Sequence, residues 1–317
     1  MCSGIRFTDK AGNMFFGRNL DWSFSYGERV VITPANYQLP SPFGAMPQTR
    51  FPLIGMGITA QGIPLYFDCA NDQGLAVAGL NFPGFAAYEP QAVEGKTNIA
   101  AYEFPLWVAG LFASVDEVEA NLADVAIVGK APIEQLGVAQ LHWIIADAQR
   151  SIVVEYTEAG LQVFHDDVDV LTNQPGFAWH RENLRSYLNV SSEVPPTRTW
   201  RGAQLAPYGA GAGMRGIPGD YYSPSRFVRL AYLNANYPEK ETEQENVTRL
   251  FRSLEGVSMV EGASRMADGD FEITIFTSGL SAGTNTYYYS TYNNPAIRAV
   301  AMGDYDLHGS QLIEIAE

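Results

Sequence analysis

Cysteine, histidine and positive charge are all scarce in this sequence. Two cysteines, Cys2 and Cys69, in 317 residues exclude a disulfide framework. The four histidines, His142, His165, His180 and His308, stand in no recognisable catalytic or metal-ligand motif, so neither metal nor cofactor is expected. Lys and Arg number 20 against 35 Asp and Glu, a net charge of −15. Such a surface repels nucleic acid and anionic membranes, and neither is expected as a partner. Long apolar runs are missing too. The longest, "FPLWVAGLFASV", has 12 uncharged residues, short of the roughly 20 that span a bilayer. The first residues lack the basic-then-apolar run of a secretory signal, and a cytoplasmic protein is expected. The glycine-rich "GAGAGMRG" follows no apolar strand and opens no regular helix, which removes a dinucleotide fingerprint.

What is present suits a well-packed globule: 46% hydrophobic residues and 12% aromatics. The first third reads as short strands. "SGIRF" and "NMFFGRNLDW" flank the polar turn "TDKAGN", a hairpin signal, and "FPLIGMGIT", "IPLYFDCA" and "GLAVAGLNFPG" continue in the same style. A helical region follows: "NIAAYEFPLWVAGLFAS" as a buried helix, then "SVDEVEANLADV" with Ser114 as cap. "AQLHWIIAD", "RSIVVEYTE", "GLQVFHDD" and "VDVLTNQP" read as a strand meander. Ser223 suits the cap and Pro224 the first position of the helix "SPSRFVRLAYLNANYP". "EKETEQENVTRLFRSLEGV" places Val247, Leu250, Phe251 and Leu254 on one face. "FEITIFTSG", "TNTYYYSTYNN" and "AIRAVAM" close the chain as strands. The order strands, helices, strands, helices, strands is not a β-α alternation. Two antiparallel sheets stacked between helix layers, in one domain over 1–317, use these elements well.

Cys2 stands directly after the initiator methionine, within "MCSGIRF". Initiator methionine is generally removed before a small residue, which would leave Cys2 first, with a free α-amine beside its thiol. An α-amine titrates at roughly 7.7–8.0 and can take the thiol proton at neutral pH. Nucleophile and base then share one residue, a variant of the nucleophile–base pair of acyl transfer. A second-position cysteine is usually incidental, but this one opens a sheet strand, and a terminus locked into a sheet is what a terminal nucleophile needs. Cys69 reads as a small buried hydrophobe. In "GRNLDW", Arg18 and Asp21 fall on the strand that returns beside the first. A guanidinium near the thiol favours thiolate, and a carboxylate could hold the α-amine; a surface ion pair is the plainer reading. Arg226 is placed in the first turn of its helix, where the macrodipole disfavours a cation, which points to an anion or a site nearby.

Taken together, "MCSGIRF", "GRNLDW", "GLNFPG", "VLTNQP" and "SPSRF" resemble the choloylglycine hydrolase family, which comprises conjugated bile salt hydrolases and penicillin V acylases. The likeness spans nearly the whole chain and leans to bile salt hydrolases of bifidobacterial type. It implies an α+β fold, the αββα four-layer sandwich of N-terminal nucleophile hydrolases, and hydrolysis of a C–N amide bond. It implies Cys2 as nucleophile once Met1 is lost, Arg18 and Asp21 as residues that position and tune it, Asn173 and Asn81 at the oxyanion site, and Arg226 as the remaining arginine of the centre. Asn81 leans toward conjugated bile salts as substrate, because similar penicillin V acylases commonly carry tyrosine there. A steroid needs an apolar pocket; the candidates are Leu20, Phe24 and Tyr26 after the second strand, Phe67, and Ile133 and Leu136 in "KAPIEQLGV". The "GAG" of Gly209 to Gly211 resembles the glycine-preferring form of the family. Family analogy implies a homotetramer. An amidase of the same fold acting on penicillin V or an acyl-homoserine lactone, and a non-catalytic amphiphile-binding protein, are the alternatives.

Overall fold

The computed structural model describes residues 1–39, 41–44, 46–267 and 269–316. Its first 22 residues form the predicted hairpin: strand Cys2–Thr8 pairs antiparallel with Met14–Trp22, with Cys2 opposite Leu20 and Gly4 opposite Arg18. This hairpin lies inside a six-stranded sheet. Val170–Leu171 flanks the first strand, and Ile273–Ser281, Thr286–Thr291 and Asn294–Ala301 extend the sheet beyond the second. An eight-stranded antiparallel sheet packs against it. Its order runs Gly160–Asp166, Ser151–Thr157, Leu141–Ala146, Ala76–Asn81, Ile63–Asn71, Leu53–Ala60, Arg29–Thr33 and Ile313–Glu314.

Among the described residues, five α-helices cover the outer faces: α1 Phe104–Leu111, α2 Val115–Leu122, α3 Phe177–Asn183, α4 Ser223–Asn236 and α5 Glu243–Glu255. Helices α4 and α5 lie on the six-stranded sheet and α1 on the eight-stranded one. The result is the expected αββα order. Two apolar cores hold it together. Ile5, Ile144, Leu80 and Ile54 belong to the core between the sheets, which continues under α4 and α5 through Phe227, Leu250 and Leu254. Trp107, Val118, Trp143 and Ile145 belong to the other, beneath α1 and α2. Burying such side chains stabilises the fold by about 1.5–3 kcal/mol each.

Local rules account for most elements. Ser114 caps α2, accepting a hydrogen bond from the Glu117 amide. Thr242 and Glu245 form a reciprocal capping box on α5, whose buried face carries Val247, Leu250, Phe251 and Leu254 as expected. Two expectations need correction. The buried helix starts later than read: Thr97–Ala100 is a strand paired in parallel with Val125–Val128, and helix α1 begins at Phe104, with Pro105 in its first turn. Ser223 does not cap α4. The cap position falls on Tyr222 without a side-chain hydrogen bond, and Pro224 follows Ser223 inside the first turn. The Ser223 hydroxyl accepts from the Asn173 amide instead, at 2.9 Å, so tertiary contact has taken the group that local propensity would use. Among the described residues, no helix is long and apolar enough to cross a membrane.

Candidate active site

Side chains along a strand alternate between faces. The pairing of Cys2 with Leu20 and of Gly4 with Arg18 therefore puts Cys2, Arg18 and Leu20 on one face, and Ser3, Asn19 and Asp21 on the other. The first face looks toward the second sheet, since a Cβ on Gly4 would meet Ile144. The other looks toward the helices, where the Asn19 side-chain amide donates to the Leu254 carbonyl of α5. The hairpin thus sends a thiol into the space between the sheets and a carboxylate out behind it.

The hub of the polar cluster is Asn173, just past the strand Val170–Leu171. Its Oδ1 accepts from the Cys2 amide at 2.7 Å and from Arg226 at 2.7 Å, and its Nδ2 donates to the Asn81 carbonyl at 2.7 Å. Arg226 of α4 is fully buried. Its guanidinium donates to the Cys2 carbonyl at 2.5 Å, the Ser3 hydroxyl at 2.6 Å and the Tyr221 carbonyl at 2.9 Å. It also lies 3.9 Å from Asp21 Oδ2. These acceptors explain a cation in the first turn of a helix, where the dipole opposes it. Burial pulls the Arg226 pKa below its ordinary value, with Asp21 and Cys2 acting against that loss.

While Met1 is attached the Cys2 amide hydrogen goes to Asn173 Oδ1, and the expected contact of the Asp21 carboxylate with a free α-amine belongs to the processed chain. The Asp21 carboxyl accepts from Thr274 Oγ1 at 2.6 Å, across a pairing that is interrupted by a bulge between Thr274 and Phe276. Burial pushes its pKa up, opposed by the N-terminal ammonium and Arg226. Its main chain does more: the Asp21 amide donates to the Met1 carbonyl at 2.8 Å, and its carbonyl accepts from the Met1 ammonium at 2.5 Å. The same ammonium also meets Glu272. With Met1 attached, Cys2 nitrogen is a peptide amide, and the Asn173 contact is already made.

Arg18 is fully buried between the sheets, reaching the Asn19 carbonyl at 3.1 Å and the Phe67 carbonyl at 3.4 Å. It stands beside Asp68, whose carboxyl accepts from Tyr287 at 2.6 Å and Ser278 at 3.2 Å. Burial raises the Asp68 pKa to about 6, against the pull of Arg18.

Cys2 opens into a cleft with about 850 Å³ of empty space, part of it open to solvent. Leu20, Tyr26, Phe67 and Leu136 line it together with Asn81, as the sequence suggests. Phe24 and Ile133 fall outside the lining; Phe24 is 53% exposed and packs on the outer side of Trp22 and Tyr26. Trp22, Ile58, Leu65 and Tyr102 are lining residues that sequence reasoning missed. Trp22 carried a signal: it sits two residues beyond Leu20 on the Cys2 face of the same strand. Among the described residues no group of His, Cys, Asp and Glu could hold a metal ion. Cys69 is buried on the other side of the eight-stranded sheet, in the core beneath α1, away from the cleft.

A buried thiol at a strand start, a bridging asparagine and an apolar cleft form an arrangement for acyl chemistry on an amphiphile. The family model of linear amide C–N hydrolases, choloylglycine hydrolase family, matches residues 2–315. The chain belongs to the choloylglycine hydrolase family. It is 55% identical to a bile salt hydrolase/transferase of Bifidobacterium longum over all of both chains. It is 43% identical to a conjugated bile acid hydrolase of Lactobacillus acidophilus over 99% of each. The crystal structure of the mutant C2A conjugated bile acid hydrolase from Clostridium perfringens matches with a TM-score of 0.94 at 34% identity, covering 100% of this chain and 97% of that one. A penicillin V acylase from Agrobacterium tumefaciens shares the fold, with a TM-score of 0.78 at 18% identity. The chain is thus a C–N amide hydrolase with the N-terminal nucleophile fold, as the five motifs implied.

Proposed function

We propose that this chain hydrolyses the amide bond of glycine- or taurine-conjugated bile salts. The observation that carries the reading is the apolar cleft ending on Cys2, together with the identity to the Bifidobacterium longum enzyme. A steroid body fits a cleft walled by Leu20, Tyr26, Phe67 and Leu136, and its side chain leads the conjugate's amide to the thiol.

The mechanism begins with loss of Met1. The Cys2 nitrogen becomes an amine, and Asn173 Oδ1, 2.7 Å from that nitrogen while Met1 is attached, holds it in place. The amine takes the thiol proton, and the thiolate attacks the amide carbonyl. Asn81, at the end of its strand on the cleft wall, and Asn173, whose Nδ2 donates one of its two hydrogens to the Asn81 carbonyl, supply the donor groups for the oxyanion. Arg226 orients both Cys2 and Asn173, and Asp21 balances its charge from the helix side. Arg18 supplies positive charge on the thiol's own face. The amine's proton passes to the leaving nitrogen, and glycine or taurine departs. Water then attacks the thioester and releases the bile acid.

We read the chain as one domain, working in the bacterial cytoplasm as a homotetramer. An exposed apolar strip supports the assembly: Trp200, Leu205 and Tyr208, on and beside the hairpin of Arg198–Trp200 and Ala203–Leu205, are 74%, 43% and 109% exposed. Self-association would cover it.

The test is release of glycine and taurine from conjugated cholate by the purified protein, with Cys2→Ala as the blank. The reading expects release by the wild type and a loss on the order of a thousandfold or more in the variant. Phenoxyacetate released from penicillin V faster than either amino acid would transfer the assignment to penicillin hydrolysis. Undiminished turnover by Cys2→Ala would remove the nucleophile.

A further inference from the structure

Around the Thr172–Asn173 backbone, outside the lining of the cleft, lie three buried ionisable residues that the mechanism above does not use: His142, Glu155 and His180, exposed by 0%, 2% and 0%. His142 Nε2 lies 2.8 Å from the Thr172 carbonyl and His180 Nε2 lies 2.9 Å from the Asn173 carbonyl. A carbonyl oxygen only accepts, so both Nε2 atoms carry hydrogen. The two rings therefore hold successive peptide carbonyls.

The other ring nitrogens differ. His142 Nδ1 faces Glu155 Oε1 at 3.2 Å, and a carboxylate there requires a proton between them. His180 Nδ1 has no hydrogen-bond partner among the described residues. Burial lowers the His180 pKa to about 4, in accord with a neutral ring whose single hydrogen is on Nε2. Glu155 Oε1 also accepts from the Phe177 amide at 2.8 Å, at the start of α3, the helix that carries His180. A Cβ on Gly176 would come within 2.9 Å of Glu155 Oε2, so any other residue there would have to push the carboxyl aside. Both rings are held by stacking as well. His142 lies flat on Phe82 at 4.1 Å, the residue after Asn81, and His180 on Phe227 at 4.7 Å, the residue after Arg226. Each residue of the oxyanion site, and the arginine behind it, is thus one step along the chain from a group this cluster grips.

We propose that His142, Glu155 and His180 clamp the Thr172–Asn173 backbone and act as positioning residues for hydrolysis, fixing the Asn173 side chain relative to Cys2 and Asn81 without touching substrate. The inference rests on the assignment of Cys2 and Asn173 to the chemistry. Asn173 has three partners at 2.7 Å, and each depends on where its backbone is set. A buried carbonyl that loses its donor moves to find another, and the side chain moves with it.

His180→Phe keeps the stacking surface and removes the donor; His180→Gln keeps a donor near the Nε2 position. The clamp predicts that His180→Phe lowers kcat roughly tenfold to a hundredfold, as for a buried hydrogen bond left unmade, with KM changed by less than about twofold. His180→Gln recovers kcat to within about threefold of wild type. Unchanged kcat in His180→Phe, a change confined to KM, or an equal fall in both variants would overturn the clamp. Imidazole nitrogen NMR of histidine-labelled wild type reads the same geometry without depending on turnover. It should show one neutral ring protonated on Nε2 alone, His180, and one ring with a proton shared toward a carboxylate, His142. His180 protonated on Nδ1 would contradict the clamp even in a fully active protein. Wild type that shows both signatures and hydrolyses no conjugate would instead refute the parent reading while leaving the clamp in place.

Discussion

The two ends of the cleft are built on different principles. The polar end rests mainly on sheet and helix: Cys2, Arg18 and Asp21 on one hairpin, Arg226 on α4, and Asn173 two residues past a short strand. All five are at most 1% exposed, and hydrogen bonds hold each one. The apolar end mixes strand residues such as Leu20 and Leu65 with loop residues such as Tyr26, Tyr102 and Pro132 and with Leu136 of a single 3-10 turn, Glu134–Leu136. Its lining is mostly apolar and one wall, Leu136, is 38% exposed. The polar end must place a few atoms to a fraction of an ångström, since donors aimed at a developing charge act only in position. The apolar end has only to exclude water from a large rigid ligand, a force roughly proportional to area and without direction. Geometry is invested where chemistry needs it.

If that contrast holds, single changes at the polar end should act on kcat and those at the apolar end on KM. Asn173→Ala removes an oxyanion donor and the hub that joins Cys2 to Arg226, and kcat should fall about 10²–10³-fold. Steady-state release of glycine from a conjugate checks it; a rise in KM with kcat intact would erase the distinction between the two ends. Asp68, beside Arg18, gives the polar end a pH signature. Its folded pKa of about 6 lies above the ordinary carboxylate value, so its contribution to stability is fully present below about pH 4 and lost as pH rises through 6. Asp68→Asn should remove about 2–3 kcal/mol of that downward slope, read as the difference in urea midpoints between wild type and variant across pH 4 to 7. A wild-type slope identical to the variant's would mean that Asp68 is already ionised well below pH 6. At the apolar end, Leu136→Ala should raise KM roughly threefold to tenfold with kcat nearly constant. Phe24→Ala, outside the lining, should change either constant by less than about twofold. An effect of Phe24→Ala larger than that of Leu136→Ala would redraw the cleft.

The same contrast decides what could be read from sequence. The hairpin "MCSGIRF…GRNLDW" was legible because local turn chemistry and strand alternation fix both its pairing and its two faces. Arg226 was legible as an anomaly, a cation where the dipole resists one. The partners of Asp21 on its face were not, because Thr274, beside a bulge in its own strand, and Arg226 of α4 are brought there by tertiary packing, as Asn173 is brought to Cys2 from 171 residues away. Ser223 misled for the same reason: its hydroxyl serves the Asn173 loop. The clamp histidines carried no motif. A faint signal was there in "LHWIIA", a polar ring within an apolar strand, which buries only with partners. The cleft walls were half legible. Leu20 and Phe67 follow from strand positions, whereas Tyr102 and Ile58 reach the cleft through the packing of distant elements, and Ile133 belongs to a loop whose neighbour Pro132 faces inward in its place.

The central claim is that a free amine and a thiol on one residue, Cys2, perform the hydrolysis together. Intact mass and N-terminal sequencing of fully active protein test it most directly. The account predicts a first residue of cysteine in every active molecule, with activity rising in proportion to the processed fraction. Full activity in protein that retains Met1 would contradict it.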